Sequence, residues 1–90
     1  MTNQLEMLRQ EIDLIDAQIF DLFEQRLTVA KQIGAYKKEH ELSVLDSSRE
    51  NHKRDQVKVS VSNELEPYAL ELLEVLMKAA KAVQETSDEL

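Results

Sequence analysis

Arg26 stands where the periodicity of the chain calls for an apolar side chain. Leu8, Ile12, Ile15, Ile19 and Leu22 precede it, and Val29, Ile33 and Tyr36 follow, at alternating steps of three and four. A guanidinium on such a stripe carries a large desolvation cost unless an acid, a ligand or water meets it. Asp21 and Glu24 are near enough to make it a structural ion pair, or its stem can snorkel; the other reading is a binding group for an anion. Lys37 lies eleven residues on, three turns later on nearly the same side, whereas Lys38 points about 100° away. The Cα atoms of Arg26 and Lys37 are about 16 Å apart along a helix, so their long side chains must lean together to share one small anion.

Four further positions break the local pattern. Arg9 sits about 25 Å from Arg26 along the same rod, beyond reach within one chain; locally it suits an i,i+4 pair with Asp13. In an antiparallel dimer it would instead meet the middle of the other helix. Arg49 and Glu50 follow Asp46-Ser47-Ser48, where Ser47 and Glu50 suit a capping box and Arg49 a solvated charge. Gln84, four residues beyond Ala80 and eight beyond Leu76, falls on an apolar face, and a buried amide needs partners. His40-Glu41 begins like a zinc-protease motif, but Val44 stands in place of the second histidine.

The elements that must hold these groups are helices. Asn3 with Glu6 suits an N-cap and its reciprocal acid, and only Gly34 interrupts good helix formers as far as Glu39, giving a first helix over about residues 4–39. A rod of about 35 residues is roughly 50 Å long, whereas a compact domain of this size has a radius of gyration of about 12 Å. Its own chain cannot cover it, so a two-fold dimer of paired long helices is expected. A second, short helix is expected over about residues 47–59. Asn51–Gln56 has no apolar residue and Val57–Val61 alternates like a strand, but no second strand can pair it, so this helix is expected to be mobile. A third helix, about 67–86, starts at Pro67 with Glu66 as cap and shows Ala69, Leu72, Leu73, Leu76, Ala80 and Val83 on one face. The polar tail from Ser87 is expected to fray.

Composition narrows the function. Ninety residues with one glycine, one proline and no linker-like stretch fit one domain, 1–90. No cysteine and only two histidines speak against a thiolate or histidine-rich metal site. The N-terminus is charged from its first turn, with neither a signal peptide nor a membrane span, so a cytoplasmic protein is expected. A net charge of −7 argues against wholesale binding to nucleic acid or an anionic membrane, and leaves anion binding to a local cluster of cations.

Taken in order, Leu8-Arg9-x-x-Ile12-Asp13-x-Ile15-Asp16, Arg26, Gly34-x-x-Lys37, Asp46-x-x-Arg49-Glu50 and Gln84 resemble the all-helical (AroQ-class) chorismate mutases over about residues 5–84. The resemblance implies an intertwined homodimer of three-helix chains, each site borrowing an arginine from the other protomer. It implies an isomerase of the shikimate pathway that converts chorismate to prephenate by a Claisen rearrangement without cofactor or metal. On that footing Arg26 and the partner's Arg9 clamp substrate carboxylates, Lys37 and Gln84 donate to the ether oxygen, and Glu50 accepts from the ring hydroxyl. Asp46 and Arg49 complete the mouth of the site.

Two departures from the family pattern stand out. Ala80 occupies the place of a serine that in many relatives helps hold a carboxylate. Lys53 and Arg54 replace residues that are often apolar, so the second helix is expected to order when ligand draws in Asp46, Arg49 and Glu50. Two rival readings follow: an isochorismate pyruvate lyase on the same fold, disfavoured by the Asp46 and Arg49-Glu50 pattern, and a non-catalytic helical dimerisation module in which Arg26 sets the register.

Overall fold

The computed structural model describes residues 3–86; the tail from Ser87, expected to fray, lies outside them. Three helices make up the fold: α1 (Gln4–Glu39), α2 (Ser47–Ser60) and α3 (Glu66–Thr86). The all-α class and the bounds of all three follow the periodicity and cap chemistry to within one residue.

α1 starts where Asn3, in extended backbone, lends its Oδ1 to the Glu6 amide at 2.9 Å, satisfying one of the orphan donors of the first turn. It ends on two closing bonds, Leu42 N–H to the Lys37 carbonyl at 2.7 Å and Glu41 N–H to the Lys38 carbonyl at 3.2 Å. This pairing requires a left-handed residue just past the cap. Glu41 fills that role with φ of 56°, a position that glycine usually occupies. The His40 ring stacks on Tyr36 at 4.0 Å and its Nδ1 lies 2.9 Å from the Tyr36 carbonyl, so His40 belongs to the helix end.

Two caps differ from expectation. Asp46, not Ser47, caps α2, its Oδ1 accepting from Arg49 N–H at 3.0 Å. A capping box pairing Ser47 with Glu50 is therefore absent, because the stronger acceptor one residue earlier has taken the N3 amide, and the Glu50 carboxylate is left for other work. Glu66 is not the cap of α3 but its first helical residue. A turn in which the Ser62 carbonyl accepts from both Leu65 and Glu66 N–H leads into it.

α3 packs on both α1 and α2, while α1 and α2 do not touch. Arg26 meets Leu76 and Gly34 lies beside Gln84, so α1 and α3 run parallel. Glu50 meets Lys81 and Arg54 meets Glu74, so α2 runs back antiparallel along α3. Ala30 and Gly34, one turn apart on α1, are both buried against this contact; without large side chains they let the helices approach closely. With Leu73 and Met77 they form most of the small core.

The rest of α1 projects beyond it. The chain measures 59 × 33 × 13 Å with a radius of gyration of 17.0 Å, against about 12 Å for a compact domain of this length. Leu5, Leu8, Ile12, Ile15 and Ile19 are 47–57% exposed, so among the described residues the N-terminal half of the seam has no apolar cover. Among the described residues no helix is long and apolar enough to cross a membrane.

Candidate active site

A cleft of about 690 Å³ opens between α1 and α2, with α3 as its floor. Its α1 wall combines Arg26 and Lys37 with the apolar Leu22, Val29 and Ile33; its floor carries Met77, Ala80 and Gln84; its α2 wall carries Asp46, Arg49 and Glu50. All seven positions singled out from the sequence within one chain, Arg26, Lys37, Asp46, Arg49, Glu50, Ala80 and Gln84, therefore line one space. Arg9 does not: it lies exposed on the uncovered half of α1, and the pair with Asp13 expected locally is not formed.

The arginine in the seam is explained by what it touches. Its Nη1 donates to the Leu76 carbonyl in the middle of α3 at 3.1 Å. Among the described residues no carboxylate pairs with it, so the structural ion pair with Asp21 or Glu24 is not formed. Asp21 instead accepts from Gln25 Nε2 at 2.9 Å. A guanidinium has five N–H donors; one contact to a fixed backbone oxygen orients the group and leaves the others for the cleft.

Lys37 is held in a comparable way. Its ammonium donates to the Val44 carbonyl at 2.9 Å, tying the connection after α1 back onto the helix, and an ammonium keeps two further donors. The turn through Glu41 is what brings Val44 within reach. Gln84 is 9% exposed and supplies a buried amide to the floor, while Ala80 supplies a methyl group without hydrogen-bonding capacity.

Glu50 is the most enclosed acid of the site. Its Oε2 meets Lys81 Nζ at 3.0 Å and its Oε1 lies 3.6 Å from Arg54 Nη2. Arg54 in turn grips Glu74 through Nε to Oε1 at 2.7 Å and Nη2 to Oε2 at 3.2 Å. The charged run of α2 is thus only in part a solvated face: no residue of α2 is fully buried, and ion pairs are its visible hold on α3. Hydrogen bonding to Arg54 holds the Glu74 carboxyl below its ordinary value and, reciprocally, Arg54 above its own.

Lys53 and Lys81, which sequence reasoning did not place in the site, also line the cleft. One available signal was the seven-residue spacing of Glu74 and Lys81, which puts them on one side of α3 two turns apart. With Arg26, Lys37 and Arg49 the cleft holds five cations against the carboxylates of Asp46 and Glu50, on a chain whose net charge is −7. Such a concentration of positive charge, walled partly by apolar side chains, suits a small anion with an apolar body. Among the described residues no three histidine or acidic side chains group as a metal site.

Comparison with known proteins agrees with this architecture. The chain is similar over 93% of its length to 99% of a solved chain described as a conserved hypothetical protein from Pyrococcus furiosus, with 34% identity and a TM-score of 0.77. No curated protein matches it. The sequence profile of the family described as chorismate mutase type II matches residues 8–85, from Leu8 to the residue after Gln84. By that match over most of its length, and by the three-helix fold that accompanies it, this chain belongs to the type II chorismate mutase family.

Proposed function

We propose that the chain catalyses the rearrangement of chorismate to prephenate as a cytoplasmic homodimer, in the pathway that leads to aromatic amino acids. The observation that carries this reading is the convergence of Arg26, Lys37 and Gln84 with Asp46, Arg49 and Glu50 in one cationic, partly apolar cleft. A dimerisation module has no use for such a space.

The reaction is unimolecular. The ether C–O bond of chorismate breaks as a C–C bond forms to the enolpyruvyl methylene, and no proton or external electron is exchanged. Nothing in it calls for a cofactor or metal, and the protein's work is to fold the substrate and stabilise developing charge. Arg26, pre-aimed by the Leu76 carbonyl, holds one carboxylate, and Arg9 of the partner subunit holds the other. Lys37 and the Gln84 amide donate to the ether oxygen, where negative charge gathers as the C–O bond breaks. Glu50 accepts from the ring hydroxyl, and Asp46 and Arg49 close the mouth.

The same geometry supports the homodimer reading. The open seam from Leu5 to Ile19 needs an apolar partner, and Arg9 rides on that segment, so pairing the long helices covers the seam and delivers a cation to the other protomer's cleft. The test is to incubate the purified chain with chorismate and follow its loss together with prephenate and pyruvate. Prephenate formed by the chain supports the assignment. Pyruvate instead assigns a lyase, and no turnover removes the enzymatic reading.

A further inference from the structure

We infer that Lys53 is a substrate-binding residue, forming with Arg49 a two-cation clamp on α2 that shares with the partner's Arg9 the carboxylate of a dicarboxylate ligand that Arg26 does not hold. The inference rests on the mutase reading for the identity of that ligand, but not for the clamp itself.

Arg49 and Lys53 are one helical turn apart, which puts their side chains over the same face of α2, and both line the cleft. Like charges at this spacing weaken a helix. Among the described residues neither side chain has a carboxylate partner, although the chain carries 18 acidic residues against 11 basic ones. Their neighbours show that such partners are otherwise used: Glu50 and Arg54, interleaved with them, are satisfied by Lys81 and Glu74 on α3. Lys53 is half-buried, its stem lying along the cleft wall, and its ammonium gains no internal counter-charge among the described residues. Ala80, on the floor, offers only a methyl group to a polar ligand. An anion lying between Arg49 and Lys53 removes the repulsion and supplies the missing counter-charge.

Arg26 and Lys37 occupy the opposite wall. A ligand with two carboxylates can therefore be gripped from α1 and α2 at once, and binding draws α2 toward α1. The Glu50–Lys81 pair keeps Glu50 apart from this clamp.

A charge-assisted hydrogen bond to a carboxylate corresponds to about tenfold or more in affinity. Lys53→Met, which keeps the length of the stem and removes the charge, is expected to raise KM for chorismate at least about tenfold while kcat changes less than about threefold; Lys53→Arg is expected to keep KM within about threefold of the parent. A Lys53→Met protein with the parental KM, or equal losses in both variants despite parental helicity by circular dichroism, overturns the inference. Should the parent not turn over chorismate, the mutase reading fails and the clamp is judged by calorimetry with inert cis-cyclohexane-1,3-dicarboxylate. About tenfold weaker binding by Lys53→Met alone supports the clamp; equal affinities, or no binding by the parent, overturn it.

Discussion

Arg54 on α2 and Glu74 on α3 face each other through two hydrogen bonds, Nε to Oε1 at 2.7 Å and Nη2 to Oε2 at 3.2 Å. Planar pairing of this kind is the strong form of a guanidinium–carboxylate contact. Here it joins two helices where no apolar residue of α2 is fully buried.

The pair makes the docking of α2 depend on pH. Glu74 is held below the ordinary carboxylate value of 4.5, chiefly by its hydrogen bond from Arg54. A group lowered on folding contributes stability above its unfolded value and loses it as pH falls through the folded one. Amide exchange in residues 47–60 is therefore expected to be faster in Glu74→Gln than in the parent at pH 7, with the difference fading as pH drops below 4.5. A difference of the same size at pH 3 contradicts this. Because exposed charges are screened, the neutral-pH difference should also shrink in 1 M salt, where the Debye length is about 3 Å.

Lys37 is expected to matter for chemistry more than for folding. Loss of one preorganised donor to developing negative charge costs roughly 3 kcal/mol, so Lys37→Ala should form prephenate at least about a hundredfold more slowly. The variant also loses the bond to the Val44 carbonyl. Circular dichroism should show parental helicity, because α1 ends on backbone bonds through Glu41 and Leu42 that do not use the lysine side chain. Parental turnover would remove Lys37 from the mechanism.

A shared site predicts complementation between two inactive proteins. Arg9→Ala and Arg26→Ala homodimers should each be nearly inactive. After they are mixed, unfolded and refolded together, half the dimers are mixed, and each mixed dimer has one site with both arginines. Turnover should then recover to about one quarter of the parental value per chain, the share of intact sites set by two-fold pairing. A mixture no more active than its components contradicts the partner's Arg9 as a ligand.

Glu41 occupies a backbone conformation that disfavours a side chain. With φ of 56° it carries a left-handed cost of about 1–2 kcal/mol, partly offset on substitution by the greater freedom of glycine in the unfolded chain, about 0.4–1 kcal/mol. Glu41→Gly is expected to stabilise the protein by about 1 kcal/mol, measured by urea unfolding. Destabilisation would mean that the Glu41 side chain has a compensating role.

Local signals were readable where one residue type answers one local need. Asn3 placed the start of α1, and the spacing from Leu8 to Tyr36 its seam. The excess of apolar residues beyond what one chain can cover was apparent from helix length alone. Asp46 was recognised as a site residue but not as a cap, since Ser47 offered an equally legal one a residue later and only backbone geometry decides between them. Arg26 drew attention by breaking the seam, but its partner is a main-chain oxygen fifty residues away, and a carbonyl has no sequence signature. Lys53, Arg54 and Lys81 were illegible as a group because their meaning depends on the angle at which α2 lies on α3. Their charges read as surface until that angle is known.

The open seam of α1 has a kinetic consequence. Among the described residues only Ala30, Leu73 and Met77 are buried hydrophobic side chains, which leaves little to hold one chain together alone, so the unfolding midpoint should climb with protein concentration. With the proposed pairing of long helices, productive folding includes a second-order step, and the hydrophobic stripe stays sticky until a copy arrives. Slow synthesis or dilution would lengthen that exposure and hand the stripe to chaperones or aggregates instead. On the proposed dimer, abundance is itself a stabilising factor.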